Sequence, residues 1–354
     1  MKKTTYRLIG VMSGTSLDGV DMVFTEISFL DSVDYEIKLA QTFPYPEEWV
    51  SRLNDAIHLD QAALNELDNE YTAYLAEIIK KFIDQNQLDL IDAVCSHGHT
   101  VKHLPKKGIT FQIGNLPKLA RLTGIPVVCD FRVQDVELGG QGAPLVPMGD
   151  RLLFGEYKYC INLGGFANVS QEDEENRKAY DICPVNTVLN YFSRKEGKQF
   201  DKNGQMARMG KLDADLLEKL NALKFYSLQP PKSLGIEWVN AEILPMLENS
   251  GLDNFSILKT YTVHVAIQIA NVLDDNSESA VLLTGGGVYN SYLIEELRKF
   301  SACDFVVPGN QLVEFKEALI FALLGALKLR GEINILRSVT GARIDHSSGR
   351  IFKP

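Results

Sequence analysis

Two glycine-rich segments, each placed between short apolar runs, constrain the fold of this chain more than any other feature of its sequence. The first is Gly10-Val11-Met12-Ser13-Gly14-Thr15-Ser16-Leu17-Asp18-Gly19-Val20-Asp21, and the second is Asn162-Leu163-Gly164-Gly165-Phe166-Ala167-Asn168-Val169-Ser170. An apolar run before each turn and a β-like run after it predict a strand, a tight turn and a second strand. The tip of such a hairpin presents backbone N–H groups to an anion. Two such tips, one from each half of the chain, predict a nucleotide-dependent enzyme with its site in a cleft between two domains.

Length and charge restrict the class of protein. A chain of 354 residues exceeds the size at which a single core stops growing, so two domains are expected. The formal net charge of −10 argues against nucleic acid or an anionic membrane as the main partner. No apolar stretch has the length of a transmembrane helix, and no signal-peptide pattern follows the N-terminus, so we expect a cytoplasmic location. The 5 cysteines are widely spaced, which predicts reduced, buried thiols rather than a disulfide or zinc framework.

Apolar periodicity predicts alternating strands and helices, which is typical of an α/β protein. In the first half, the predicted elements are a hairpin over 6–12 and 20–28, a strand over 35–42, a helix over 62–86, a strand at 93–96, a helix over 116–123 and a strand at 125–130. In the second half, they are a strand into the second glycine turn, a strand ending at Asp181, helices over 184–195, 212–223 and 258–274, a strand over 281–284, and helices over 291–300 and 313–330.

The first turn carries groups suited to phosphate. Glycine permits close backbone approach, and Ser13, Thr15 and Ser16 add hydroxyl donors. Asp18 or Asp21 could hold a metal-bound water beside them. An ordinary hairpin without a ligand is the alternative interpretation. A Walker A sequence is absent, which argues against a P-loop enzyme.

Two further segments are candidates for nucleotide contact and catalysis. Gly285-Gly286-Gly287 follows an apolar strand and precedes a helix, so its backbone could lie against a base or ribose, although a plain strand-to-helix turn has the same pattern. Asp181 ends a predicted strand, and an α/β enzyme places a general base at the carboxyl end of a strand. The alternative for an isolated aspartate is an Asx-turn or a helix cap.

Three histidines, His97, His99 and His103, invite a metal hypothesis. Their spacing lacks the glutamate of a zincin helix. An extended run would place His97 and His99 on the same face. Polar contacts to a substrate, or satisfied structural histidines, are favoured over metal ligation.

Taken together, these motifs resemble those of the anhydro-N-acetylmuramic acid kinases. The resemblance rests on segments that occur in one order along nearly the whole chain. They are Met12 to Asp21, Ser96-His97-Gly98-His99-Thr100-Val101, Phe111-Gln112-Ile113-Gly114, Asp130-Phe131-Arg132, Gly139 to Pro147, the second glycine turn, Thr284 to Asn290, Glu317 to Ala322, and Val339-Thr340-Gly341-Ala342.

The resemblance implies a two-domain actin-like ATPase fold of the sugar kinase or ribonuclease H-like type, with the active site in the interdomain cleft. Residues 1–129 and 335–354 are expected to form domain I, and residues 130–334 domain II. The implied reaction is ATP-dependent opening of 1,6-anhydro-N-acetylmuramic acid by water with phosphorylation of O6. The product is N-acetylmuramic acid 6-phosphate, an intermediate of peptidoglycan recycling. A homodimer is also implied.

The resemblance also assigns residues to roles. Asp181 would activate the attacking water, and His97, Arg132 and Glu317 would lie near the sugar. The nucleotide would be ATP with Mg²⁺, the metal held through water by Asp18 or Asp21. The residues expected to contact the nucleotide are Gly14, Thr15, Ser16, Leu17, Asp18, Gly19, Val20, Asp21, Gly164, Gly165, Asn168, Gly285, Gly286, Gly287 and Asn290.

The chain departs from the family pattern at three places. The usual Asp-Thr-Gly-Pro-Gly-Asn is Asp181-Ile182-Cys183-Pro184-Val185-Asn186, the usual His-Gly-Gln-Thr has His99 in place of glutamine, and Lys232-Ser233-Leu234-Gly235 lacks a threonine before its glycine. All three changes fall on the sugar side, whereas the phosphate turns match. Two alternatives therefore stay open: a kinase for a related amino sugar, and a non-catalytic ATP-binding protein of the same fold.

Overall fold

The protein is described from a computed structural model, which describes residues 2–14, 16–173, 176–274 and 278–354. The chain divides into two compact units, Met1–Leu153 with Phe315–Pro354, and Phe154–Glu314. These units differ from the sequence-based domains, which change at 129/130 and 334/335. The reason is long-range packing of 130–153 within the first unit, where Thr340 Oγ1 donates to Asp135 Oδ1 at 2.7 Å and Lys316 Nζ lies 2.8 Å from Asp150 Oδ1.

Strands and helices alternate along the chain. The strands are β1 Thr5–Ser13, β2 Gly19–Phe29, β3 Val33–Pro44, β4 Ala93–Leu104, β5 Ile109–Ile113, β6 Val127–Cys129, β7 Tyr159–Leu163, β8 Phe166–Asp173, β9 Asn176–Pro184, β10 Ala280–Thr284, β11 Asp304–Val306 and β12 Arg350–Phe352. The helices are α1 Glu47–Asp55, α2 Gln61–Gln85, α3 Lys118–Thr123, α4 Val133–Glu137, α5 Pro147–Leu153, α6 Asn186–Lys195, α7 Gln205–Met209, α8 Ala214–Asn221, α9 Ile236–Trp238, α10 Leu244–Glu248, α11 Asn254–Ala270, α12 Ser291–Phe300, α13 Asn310–Arg330 and α14 Arg337–Thr340.

The sheets of the two units share one topology over the residues that the structure describes. In the first unit the order is β12-β6-β4-β1-β2-β3, with β5 beside β4, and in the second it is β11-β10-β7-β8-β9. Each sheet begins with an antiparallel meander of three strands, β1-β2-β3 or β7-β8-β9. Each then adds two parallel strands beside the first strand of that meander. This repeated order confirms the predicted α/β class and actin-like ATPase fold.

Helix α13 packs closely on the sheet of the first unit because Gly10 of the sheet faces the helix and Gly325 of the helix faces the sheet. A Cβ on Gly10 of β1 would lie 1.9 Å from the carbonyl oxygen of Ala318, and a Cβ on Gly325 of α13 would lie 2.1 Å from Cys95 Sγ. No side chain fits at either position, so the helix axis is held against β1 and β4. This contact fixes the position of Glu317 relative to the sheet.

The two units have separate apolar cores. In the first, the core lies between the sheet and helices that include α2, and Tyr71, Leu75, Ile79 and Phe82 of that helix are fully buried. In the second, one face of the sheet is covered by α6, α11 and α12. All five cysteines are buried thiols, as predicted. Among the described residues, no helix is long and apolar enough to cross a membrane.

Candidate active-site regions

The first glycine turn joins β1 to β2, as predicted. The N–H of Leu17 donates to the carbonyl of Gly14 at 3.4 Å, and Leu17 has a φ of 61°, which a non-glycine residue adopts at some cost. Ser16 and Asp18 are exposed, whereas Gly19 is buried against β3, where a Cβ would lie 2.4 Å from the carbonyl oxygen of Phe43. Thr15 lies outside the described residues.

The two aspartates predicted to hold a metal-bound water flank Val20 and Gly19. Asp21 is half-buried on β2, where the hydroxyl of Thr42 donates to its Oδ1 at 2.6 Å. Val20 is fully buried, so only its backbone could face a ligand. Across the described residues, no group of three or more histidine, cysteine or acidic side chains forms a metal cluster. A site with one or two carboxylates still suits Mg²⁺, which keeps several waters and binds substrate phosphates.

A buried chain of hydroxyl groups supports the base of the first turn. Ser13 Oγ lies 2.7 Å from the hydroxyl of Tyr45 and 2.8 Å from His99 Nδ1. The Tyr45 hydroxyl in turn lies 2.6 Å from that of Tyr71. Burial lowers the pKa of His99 to about 4, so its ring is neutral near pH 7. No local pattern predicted the two tyrosines, because they approach Ser13 only through tertiary packing.

His97 orients Arg132. Arg132 Nε donates to His97 Nε2 at 2.9 Å, and His97 Nδ1 lies 2.9 Å from the carbonyl oxygen of Gly98. A carbonyl only accepts, so Nδ1 carries the proton and Nε2 accepts from the guanidinium. The ring is 3% exposed, and its burial, followed by the positive charge of Arg132, holds its pKa well below the usual value. Both ring nitrogens are therefore engaged by the protein.

Arg132 and Glu317 interact electrostatically. Burial lowers the pKa of Arg132 to about 10, while Glu317 and then Asp135 oppose that shift. Glu317 is solvent-exposed on α13, yet desolvation by surrounding protein raises its pKa, opposed first by Lys316 and then by Arg132. Arg132 is further fixed by its Nη1, which donates to the carbonyl of Gly142 at 2.5 Å. The structure thus brings together the three residues expected near the sugar.

The three histidines of β4 reach different partners. Gly98, with a φ of 74°, interrupts the extended backbone between His97 and His99. As a result, His97 contacts Arg132, His99 contacts Ser13, and His103 Nδ1 lies 3.0 Å from Thr110 Oγ1. The prediction that His97 and His99 share one face does not account for this interruption.

The second glycine turn is anchored at the start of α6. The carbonyl of Gly165 accepts hydrogen bonds from the N–H groups of Val185 at 2.8 Å and Thr187 at 3.2 Å, and the carbonyl of Gly164 accepts one from Asn186 at 3.3 Å. Within the turn itself, the N–H of Gly164 donates to the carbonyl of Phe166 at 3.2 Å. A Cβ on Gly165 would lie 2.8 Å from Thr187 Oγ1, so a larger residue would have to displace that hydroxyl.

Four polar residues form a row across the second sheet. Thr284 on β10 is paired with Asn162 on β7, Asn162 with Asn168 on β8, and Asn168 with Asp181 on β9. Directly paired residues share one face, with strands about 4.8 Å apart. Their neighbours Leu163, Ala167 and Leu283 belong to the core on the other face. Asn162 and Thr284 were not predicted as site residues; the available signal was a polar residue at or next to the end of an otherwise apolar strand.

Asp181 does not end its strand, which corrects the sequence-based prediction. Strand β9 continues to Pro184 with a bulge at Ile182, because the consecutive residues Ala167 and Asn168 of β8 pair with Cys183 and Asp181. The N–H of Leu234 donates to Asp181 Oδ2 at 2.8 Å, and the N–H of Asp181 donates to the carbonyl of Lys232 at 3.1 Å. Burial raises the pKa of Asp181, and the Leu234 N–H partly opposes that shift.

The altered segment after Asp181 faces the core. Ile182, Cys183 and Val185 are 2%, 0% and 0% exposed and belong to the apolar core of the second unit. None of residues 182–185 has a positive φ. The loss of glycine here therefore places no side chain on left-handed backbone, and the side chains of Ile182, Cys183 and Val185 pack in the core.

The third glycine turn contacts the second. Gly285 has a φ of 81°, and a Cβ there would lie 2.3 Å from Asn162 Oδ1; a Cβ on Gly287 would lie 2.7 Å from that of Leu163. At Gly286, no heavy atom of the described residues comes within 4 Å of a Cβ position, so this backbone is open to a ligand. Asn290 caps α12, its Oδ1 accepting from the N–H of Leu293 at 3.1 Å.

Comparisons with known proteins agree on one family. The family model described as anhydro-N-acetylmuramic acid kinase matches residues 6–354. An anhydro-N-acetylmuramic acid kinase of Pasteurella multocida is 33% identical over 99% of this chain and 98% of its own length. One of Haemophilus influenzae is 32% identical over 97% of each chain.

Solved structures are matched at a much lower level of sequence identity. An activator of 2-hydroxyisocaproyl-CoA dehydratase from Clostridium difficile with bound ADPNP has a TM-score of 0.44 at 12% identity, covering 92% of this chain and 96% of the other. A ROK family glucokinase from Streptomyces griseus with glucose and AMPPNP has a TM-score of 0.40 at 12% identity, covering 90% and 98%. From the family model and the sequence relatives, this chain belongs to the anhydro-N-acetylmuramic acid kinase family.

Proposed function

We propose that this protein opens 1,6-anhydro-N-acetylmuramic acid with water and phosphorylates its O6 with ATP. The product is N-acetylmuramic acid 6-phosphate, formed in peptidoglycan recycling. The observation that carries this proposal is Asp181, a desolvated carboxylate whose Oδ2 is fixed by the N–H of Leu234. Among the described residues no hydrogen bond reaches its Oδ1, which is the oxygen assigned to the attacking water.

The reaction has two linked displacements. Asp181 takes a proton from water as the water oxygen bonds to the anomeric carbon, and the bond from that carbon to O6 breaks. O6 then bonds to the γ-phosphorus of ATP, and the bond from that phosphorus to the leaving ADP oxygen breaks. A raised pKa makes the carboxylate a stronger base at neutral pH than an exposed aspartate.

The nucleotide contacts are assigned to the three glycine turns. The first turn, Gly14 to Asp21, and the second turn, with Gly164, Gly165 and Asn168, bind the phosphates, and Gly285 to Gly287 lie against the adenosine. The open backbone at Gly286 supports the last assignment. Asn290 acts by capping α12 behind that turn. Mg²⁺, held through water by Asp18 or Asp21, neutralises developing phosphate charge when it is bound.

The sugar contacts are assigned to the first unit. Arg132 and Glu317 bind the sugar's polar groups, and their mutual electrostatic coupling supports a shared site. His97 acts through Arg132, since both of its ring nitrogens are already engaged. A homodimer and a cytoplasmic location complete the proposal, on the strength of the family resemblance and the absence of a membrane-spanning helix among the described residues.

A coupled ADP-release assay tests this function. Purified protein with ATP, Mg²⁺ and anhydro-N-acetylmuramic acid is expected to release one ADP for each sugar phosphorylated, with the 6-phosphate identified by mass spectrometry. Phosphorylation of N-acetylmuramic acid or another amino sugar, without turnover of the anhydro sugar, would contradict it in favour of a related kinase. Saturable ATP binding without any sugar phosphorylation would contradict it in favour of a non-catalytic protein.

A further inference from the structure

We propose that Lys232 is a positioning residue for Asp181. Its ammonium group anchors a segment, Lys232 to Leu234, whose backbone brackets the aspartate and fixes one carboxylate oxygen. The inference rests on the proposed function insofar as Asp181 is the base, but the positioning itself concerns only the carboxylate and its neighbours.

The bracket consists of two backbone contacts on either side of Ser233. The carbonyl of Lys232 accepts the N–H of Asp181 at 3.1 Å, and the N–H of Leu234 donates to Asp181 Oδ2 at 2.8 Å. The first contact holds the backbone of the aspartate, and the second sets the rotation of its carboxylate. The segment therefore determines which oxygen is available to a ligand.

The side chain of Lys232 anchors this segment. Its Nζ lies 3.3 Å from the carbonyl oxygen of Phe225 and 3.5 Å from that of Tyr226, and 4.7 Å from the centroid of the Phe225 ring. An ammonium group can donate to two carbonyls and lie over an aromatic face at once. A neutral aliphatic side chain of the same length would make none of these polar contacts.

Phe225 and Tyr226, whose carbonyl groups accept from Lys232, are themselves held by contacts with other residues. Phe225 is 7% exposed and packs against Trp238, with ring centroids 5.4 Å apart. The hydroxyl of Tyr226 lies 2.9 Å from His264 Nε2 on α11, a helix in the core of the second unit. Contacts with the core of the second unit thus fix the position of Lys232. Through the bracket, they also fix the orientation of Asp181.

The bracket explains why the departure at Leu234 is compatible with a working base. The contact to Asp181 Oδ2 comes from the backbone N–H, which leucine and threonine supply equally. Burial raises the pKa of Asp181, and the hydrogen bond from the Leu234 N–H opposes that shift. Loss of the Leu234 N–H would therefore remove a group that stabilises the charged carboxylate.

The test compares Lys232→Met with Lys232→Arg, using Lys224→Met as a control at the exposed lysine that precedes Phe225. For Lys232→Met we expect kcat for the anhydro sugar to fall about tenfold and the acid limb of its pH profile to move up by about one pH unit. KM for ATP should stay within about twofold of the parent. Lys232→Arg should recover most of the activity, and Lys224→Met should match the parent.

A second readout does not depend on activity. The carbon-13 signal of the Asp181 carboxyl, assigned by its loss in Asp181→Asn, is titrated in the parent and in Lys232→Met, where its midpoint should rise. If the parent turns over no sugar but the midpoint still rises, the positioning stands and the proposed function fails.

An unchanged midpoint together with unchanged kcat would overturn the positioning. A raised KM for the sugar with an unchanged midpoint would overturn it too, because Lys232 would then contact the sugar. Should Lys232→Met not fold, Lys232→Leu also removes every donor, and a folded Leu variant with the parent's midpoint contradicts the proposal.

Discussion

The two units repeat one sheet topology but fix their candidate functional groups by different means. In the first, a side-chain network does so: Ser13, Tyr45 and His99 support the glycine turn, and His97 holds Arg132. In the second, backbone groups do so: carbonyls of the turn accept from the start of α6, and the Leu234 N–H holds Asp181. Backbone contacts survive substitution, whereas a side-chain network changes its chemistry with each residue replaced.

This difference explains where the chain departs from its family pattern. Ile182, Cys183 and Val185 are absorbed into the core, and Leu234 acts through its backbone. In the first unit, His99 enters a buried network and brings a titratable ring with it. The departures in the second unit should thus be nearly silent, and the departure in the first should be visible as a pH effect.

The largest effect is expected from Asp181→Asn, which keeps the shape of the side chain and removes its basicity. General base catalysis is worth about 10²–10⁴-fold, so kcat should fall by that factor while ATP affinity stays near that of the parent. Coupled ADP release and calorimetric ATP titration measure the two quantities. Asp215→Asn, at an exposed position on α8, is the matched control. Equal losses of activity and ATP affinity would mean that Asp181 is structural.

His99→Gln should change the pH dependence of stability. The pKa of His99 is about 4 in the fold against an ordinary 6.5, so between these values the unfolded chain binds a proton that the folded chain does not. Stability is therefore lost as pH falls through this window, by about 3 kcal/mol in total. Urea unfolding at pH 7.5, 5.5 and 4.5, compared between parent and variant, isolates this contribution from other titrating groups.

The matched control for that series is His58→Gln, at an exposed histidine. The free energy of unfolding of His99→Gln should fall less steeply with acid than that of the parent, whereas His58→Gln should follow the parent. If the free energy of unfolding of all three proteins changed with pH in parallel, the buried network around His99 would make no contribution to the pH dependence of stability. The contrast drawn between the two units would then be wrong.

Gly285→Ala should destabilise the second unit and weaken nucleotide binding, because φ at this position is 81° and the new Cβ would meet Asn162 Oδ1 at 2.3 Å. Such strain costs about 1–3 kcal/mol. Gly286→Ala, where the Cβ meets no described atom within 4 Å, is the control for stability. Urea unfolding and ATP titration measure both effects. A control as unstable as Gly285→Ala would contradict the geometry of this turn.

Arg132→Lys should have the smallest effect of the four, raising KM for the sugar about tenfold with KM for ATP unchanged, because lysine cannot reproduce the fork that spans His97 and Gly142. Steady-state kinetics with each substrate varied in turn measure this. Arg121→Lys, at an exposed position on α3, is the control. An unchanged KM for the sugar would remove Arg132 from the proposed sugar site.

The sequence was sufficient for the longer helices and the glycine turns, because their signals are local. It did not predict several short elements, namely α1, α4, α5, α7, α9, α10, α14, β5, β11 and β12. Periodicity and turn glycines located both hairpins, and the ends of the predicted helices differ from those observed by a few residues. Helix α11 begins at Asn254, earlier than predicted, because Asp253 caps it through the N–H of Ser256. Such shifts follow from capping chemistry that an apolar pattern does not include.

What the sequence did not reveal depends on register and tertiary packing. Strand β9 continues beyond Asp181 through a bulge at Ile182, and the row from Thr284 to Asp181 exists only once four strands are paired. The tyrosines beneath Ser13 and the membership of 130–153 in the first unit arise from contacts between distant segments. One sequence alone does not show how strands that are distant along the chain pair, so these registers could not be predicted from it.

The buried cysteines can report which of the two units unfolds locally. Cys95 and Cys129 lie in the first unit, and Cys160, Cys183 and Cys303 in the second. A thiol reagent can modify each one only while its surroundings are transiently exposed. The order in which the five are alkylated in gentle denaturant, read by peptide mass spectrometry, would therefore rank the local stabilities of the two sheets without any introduced label.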